Sequence, residues 1–199
     1  MRFKRGGCPL SNALTPCTWP QNLTKSTTAP EYVMVGYGTQ NYTCSSSGAY
    51  SPAGAVAKLY DVSCMASTPK LETVPQLVYD FIETNPTGRT PLAGLDLSRP
   101  SIHHYFVNNG AGGINPRFDL EPNGALVAFS VMKKVQDVPD PENSKGNVDW
   151  LLLQNVNGTL AKSIYRVSTY FGQPPKSTCT SGPADVTIPY AALYYFYTT

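Results

Sequence analysis

At 199 residues the chain is long enough to bury a core of its own as one domain. Charged residues make up only 14%, against 41% hydrophobic, with 18 Pro, 16 Gly and 13 Tyr. That balance argues against a charged helical protein and for an extracellular β protein. The net charge is +2 and the one basic cluster, Arg2, Lys4 and Arg5, sits at the N-terminus, so no basic face for nucleic acid is expected. No apolar run approaches the roughly 18 residues of a membrane span.

In chain order, residues 1–30 read as an irregular segment tethered by a disulfide, followed by a β domain over 31–199. The five cysteines, Cys8, Cys17, Cys44, Cys64 and Cys179, show no CxxC and no Cys/His spacing, so no metal site is expected. Five cysteines allow fifteen arrangements of two disulfides with one thiol left over. Sequons at Asn22, Asn41 and Asn157 predict N-glycans, whereas Asn85 is followed by proline. Together with the cysteines they point to the secretory route. The first residues lack an apolar signal core, so the expectation is that a signal peptide has been trimmed.

The stretch YVMVGYGTQNYTC, Tyr32–Cys44, opens the β domain. By alternation Asn41 shares a face with Val33, Val35 and Tyr37. A glycan there needs solvent, so either that apolar set faces out or a bulge at Gly36–Gly38 breaks the register. The reading favours the bulge, with a bent strand that anchors the fold while any chemistry lies elsewhere. Strands are predicted at 32–37, 54–62, 102–107, 117–120, 125–135, 149–154, 163–170, 186–188 and 192–197. Asn-Gly pairs at 109–110, 123–124 and 157–158 mark hairpins. One helix is predicted over Val74–Thr84, with Pro75 in its first turn and Leu77, Val78, Phe81 and Ile82 as its apolar face. The fold class is therefore all-β, a single antiparallel barrel or sandwich with at most one short helix.

Candidate chemistry is sparse. The only histidines are His103 and His104. On a strand they face opposite ways, His104 with Ile102 and Phe106, His103 with Tyr105 and Val107. Arg166 shares a face with Ile164, Ser168 and Tyr170; if that face is inward, it is a buried cation in need of an oxygen partner. Lys133 and Lys134 split across faces. Asp61 and Asp119 sit beside aromatics, where a raised carboxyl pKa would suit a general acid and an arginine partner would suit structure. Tyrosines crowd the C-terminus, as expected either of an aromatic-lined small-molecule site or of ordinary packing.

GTQNYTC at 38–44, AKLYDVSC at 57–64, HHYF at 103–106, FDL at 118–120, VDWLLL at 148–153, YRVSTYFGQPPKSTC at 165–179 and IPYAALYYFY at 188–197 recur together in this order. The chain resembles a family of fungal secreted proteins of unknown function, often labelled malate-dehydrogenase-like. It departs from that family at Tyr170-Phe171 and at Cys17. Because Cys17 is the departure, the pairing this implies is Cys44 with Cys64 and Cys8 with Cys179. The dehydrogenase label fails on residues: Gly36-Tyr-Gly38 has no third glycine and no following helix, so no nicotinamide or other cofactor is expected.

The chain also resembles secreted-type glycosylated fungal proteins that act as hetero-Diels–Alder enzymes in tropolone sesquiterpenoid pathways. This implies a cofactor-independent cyclase that binds an apolar small molecule. Arg166, His104, Tyr105 or Lys134 would then be hydrogen-bond donors, and Trp150, Tyr170, Phe171 and Tyr194 pocket walls. The alternative is a secreted non-enzymatic protein that binds wall polysaccharide or a host surface through exposed aromatics. A deep cavity around Arg166 or His104 favours the first; a filled barrel with flat surface tyrosines favours the second.

Overall fold

The computed structural model describes residues 8, 10–11, 19–85, 95–180 and 183–199. Cys17 lies outside them. Eight antiparallel strands close a barrel in simple sequence order: β1 (Tyr32–Cys44), β2 (Tyr50–Asp61), β3 (Ile102–Asn108), β4 (Ile114–Leu120), β5 (Ala128–Val138), β6 (Trp150–Gly158), β7 (Ser163–Phe171) and β8 (Asp185–Tyr197). β8 pairs with β1 over twelve residues, from Tyr32↔Phe196 to Thr43↔Asp185, and leaves no open edge. One helix, α1 (Val74–Thr84), follows β2. Among the described residues no helix is long and apolar enough to cross a membrane.

The last two predicted strands are one. β8 runs through Pro189, which falls just past Tyr190, the last β8 residue paired with β7. The β7 ladder needs no donor there, so proline is tolerated.

Both faces of part of the wall are apolar. Inward go Tyr32, Met34, Leu59, Ile102, Phe118, Ile164, Tyr194 and Phe196. Outward on the same wall go Val33, Val35, Tyr165, Val167, Leu193 and Tyr195, covered by α1 and by Leu23 and Trp19 of the N-terminal segment. The helix docks through Val74, Val78 and Ile82, a strict i, i+4, i+8 row, and Leu77 points to solvent at 49% exposure.

That outer layer decides the register of β1. The strand pairs with β8 without a break, and its only irregularity against β2 lies between Asn41 and Tyr42, not at Gly36–Gly38. Val33 and Val35 do face outward with Asn41; they are buried because helix and N-terminal segment cover them, while Asn41 lies beyond that cover. The two glycines serve close approach instead. A Cβ on Gly36 would stand 2.7 Å from the Tyr194 ring, and one on Gly38 would stand 1.9 Å from the Val56 carbonyl oxygen. Gly36-Tyr-Gly38 is thus interior strand, not a dinucleotide loop.

The disulfides are Cys8–Cys64 and Cys44–Cys179, so the expected pairing is corrected. Cys64 follows β2 at the barrel end where Val62 N–H donates to the Val33 carbonyl. Cys44 closes the other end of β1, eleven residues and roughly 36 Å of extended strand away. There the Cys44 N–H donates to the Ala184 carbonyl and the Cys179 N–H to the Gly48 carbonyl, which brings Cys179 alongside. Each disulfide therefore ties a connecting segment to one end of the barrel.

Candidate active site: a cavity in one end of the barrel

The end that holds the start of β1 is filled by side chains. The other end encloses a cavity of about 600 Å³. Its apolar wall is built from Phe106, Phe118, Leu151 and Leu153, and its polar wall from Gln40, Tyr42, His104, Arg166 and Tyr194. Lys133, Lys134, Asp137 and Asp149 stand in the lining, with Gln173 and Pro174 from the disulfide-tied β7–β8 connection.

Arg166 is only 8% exposed. It faces inward because β7 pairs Ile164 with Leu153 and Arg166 with Leu151, all interior positions. Its Nε and Nη2 donate to the Asp149 carbonyl at 3.2 and 2.8 Å, and its guanidinium lies 5.9 Å from the Tyr190 ring centroid. Asp149 is held by a buried network next to it. The Asp140 carboxylate accepts from Trp150 Nε1 at 2.8 Å, Thr169 Oγ1 at 2.9 Å, and the backbone N–H groups of Glu142 and Asn143.

His104 is buried, stacked on Phe118 with ring centroids 4.3 Å apart. Its Nδ1 lies 3.0 Å from the Arg117 carbonyl oxygen. A carbonyl only accepts, so Nδ1 carries the hydrogen and Nε2 presents a lone pair. Burial pulls the His104 pKa down to about 4, with the nearby Arg166 charge adding to the shift. The ring is therefore neutral at physiological pH and accepts a hydrogen bond. This corrects its expected role as a donor.

The Tyr190 and Tyr194 hydroxyls are 2.7 Å apart. Burial raises both pKa values, so both stay protonated, although Arg166 pulls in the other direction. Burial also pushes Tyr42 up to about 12, and its hydroxyl donates to the Gly172 carbonyl at 2.7 Å. The Gln40 Nε2 is buried without a hydrogen-bond partner; it lies close enough to Tyr190 to favour the phenolate, yet not in hydrogen-bonding geometry.

Of the predicted donors, Arg166, His104 and Lys134 line the cavity, with Lys134 at the rim in an ion pair with Asp137. Tyr105 does not: one residue from His104, it faces outward and donates to Asp119 Oδ2 at 2.7 Å. Asp119 is also paired with Arg117 at 2.7 Å, so its role there is structural. Asp61 is exposed and accepts from the Ser63 N–H.

Of the predicted walls, Tyr194 lines the cavity, and the other three lie outside it. Trp150 alternates with interior Leu151 and packs on the outer face 6.4 Å from Trp19. Tyr170 is turned out by a bulge after Val167, where Ser168 adopts φ 47°. Phe171, at φ 59°, stacks on Tyr79 of α1 at 4.9 Å.

Gln40 and Tyr42 were not anticipated. Unbroken alternation from Met34 reaches both of them, and the bulge assumed at Gly36–Gly38 hid that signal. The stretch that anchors the fold therefore also supplies the polar wall.

No three His, Cys, Asp or Glu side chains gather as a metal site among the described residues. The family model described as "Protein of unknown function (DUF3455)" matches residues 25–198. The chain belongs to this family. The match spans all eight strands and every cavity residue named above. Neither a curated protein nor a solved structure matches the chain.

Proposed function

We propose that the chain binds an apolar small molecule in the open end of the barrel and acts on it as a cofactor-independent cyclase. The observation that carries the reading is a buried guanidinium, Arg166, at the polar wall of a cavity of about 600 Å³. A space of that size with a few convergent polar groups suits a small-molecule ligand.

Arg166 would donate to a carbonyl oxygen of the ligand, lower its electron density and favour addition across a conjugated system. His104 Nε2 would accept a hydroxyl or N–H of the ligand and fix its orientation. The rigid apolar wall would hold two reacting parts together, which supplies up to ~7–11 kcal/mol in favourable cases. A hetero-Diels–Alder reaction conserves all atoms and electrons, so it consumes no oxidant or reductant.

The polysaccharide alternative draws less support. Tyr170 and Phe171 pack against Tyr79 of α1 rather than forming an open plane.

Passage through the secretory route belongs to the same proposal. It is supported by two disulfides and by the accessible positions of Asn22 and Asn157. Asn41 lies outside the barrel between Gln40 and Tyr42, which line the cavity. Expression in a secreting eukaryotic host should give a mass shift that endoglycosidase removes; an unshifted secreted product rejects the glycans.

The cyclase step is tested by incubating the protein with a quinone methide precursor and humulene. One stereoisomer formed above the background rate is expected, and it should be lost in Arg166→Met. Adduct at background rate and without stereochemical bias overturns the cyclase.

A further inference from the structure

The polar wall of the cavity holds buried hydrogen-bond donors that the protein's own acceptors satisfy only in part. A guanidinium has five N–H groups; the Asp149 carbonyl accepts from Nε and Nη2, and the Tyr190 and Tyr194 hydroxyl oxygens stand close to the guanidinium. No carboxylate forms an ion pair with Arg166 among the described residues. Gln40, 9% exposed, adds an Nε2 with no partner. Tyr190 and Tyr194 share one hydroxyl hydrogen between them, and the second needs another acceptor. A carbonyl dipole offsets only part of the cost of burying a cation. Negative charge completes it.

The charges around the lining agree. Arg166, Lys133 and Lys134 face Asp137 and Asp149, and Lys134 is already paired with Asp137. His104 is neutral. One further negative charge brings the lining to balance.

We infer that the natural ligand presents an anionic oxygen, with a carboxylate as its simplest form, to Arg166 beside Gln40, and lays an apolar body along Phe118, Leu151 and Leu153. This rests on the reading of the cavity as a small-molecule site. It goes beyond that reading in fixing the ligand's charge, since a neutral carbonyl would satisfy polarisation alone.

The test is calorimetric titration of the intact protein at pH 7 with two matched pairs, 2-naphthoate against 2-naphthamide and dodecanoate against dodecanamide. The amide keeps the carbonyl and the shape and removes the charge. At least one acid should bind about ten- to hundred-fold tighter than its amide, the range for a charge-assisted hydrogen bond in a buried site. Arg166→Gln should abolish that preference by weakening the acid far more than the amide, which loses only a neutral carbonyl contact. Equal binding of acid and amide overturns the anionic ligand and leaves the cavity reading standing. A preference that survives in Arg166→Gln also overturns it, because the charge is then held elsewhere. Binding of none of the four probes counts against both. The comparison on the unaltered protein stands even if the variant does not fold.

Discussion

The two ends of this barrel follow one alternation rule and differ in what it points inward. At one end the rule delivers Met34, Leu59, Ile102, Ile164 and Phe196, which meet and fill the interior. At the other it delivers Gln40, Tyr42, His104 and Arg166, which leave a cavity between them. Backbone pairing is also uneven: the β2–β3 ladder stops at Ala57↔His104 and the β4–β5 ladder at Arg117↔Val131, short of the hollow end. The difference teaches that stability and binding are separated along the barrel axis: the packed end holds the fold, and the hollow end is free to carry buried polar groups that a core would not tolerate.

The largest expected effect is at the packed end. Phe196→Ala, at a fully buried site, should cost about 3–5 kcal/mol in urea unfolding. Leu153→Ala, beside the cavity, should cost about 2 kcal/mol, the low end for such a truncation, because that space is already void. Equal losses would erase the distinction between the ends.

Replacing Cys44 and Cys179 together by serine should cost about 2–5 kcal/mol, since the bond spans 135 residues of chain. It should also weaken binding of apolar probes, because Gln173 and Pro174 of the tethered connection line the mouth. Undiminished binding would show that the tether matters to the fold alone.

A pH profile comes next. His104 titrates near 4 in the folded barrel and near ~6.5 unfolded. The unfolded chain takes the proton first, so the stabilising contribution is complete above pH ~6.5 and fades as pH falls towards ~4. The loss should be roughly 3 kcal/mol and absent from His104→Phe. Parallel profiles for the two proteins would place the titrating group elsewhere.

Arg166→Met should change stability least, leaving it unaltered or raising it by about 1 kcal/mol, because the cost of burying a cation without a carboxylate partner is only partly offset. Its effect should fall on binding instead. A loss of several kcal/mol would make Arg166 a structural residue.

The sequence made the all-β class legible without deciding barrel from sandwich, and α1 to the residue, because alternation, Asn-Gly turns and Pro75 are local signals. It made Arg166 and His104 legible as inward candidates through their strand neighbours Ile164 and Ile102. What it concealed depended on partners distant in the chain. Val33 and Val35 looked unsuited to an outer face because nothing local announces that α1 will cover them. Tyr170 looked inward until the turn at Ser168 reversed it. Trp150 shows no sign in its own strand of the Asp140 and Trp19 contacts that hold it outside. The disulfide pairing followed from which barrel end each cysteine reaches, which only the lengths of β1 and β2 settle.

The most direct measurement is a crystal of the protein soaked with 6-bromo-2-naphthoate and read by bromine anomalous scattering. One bromine peak is expected inside the barrel against Phe118 and Leu153, with the carboxylate on Arg166. A peak confined to the outer groove between Ile82 of α1 and Val56 of β2, with the barrel interior empty, would contradict it.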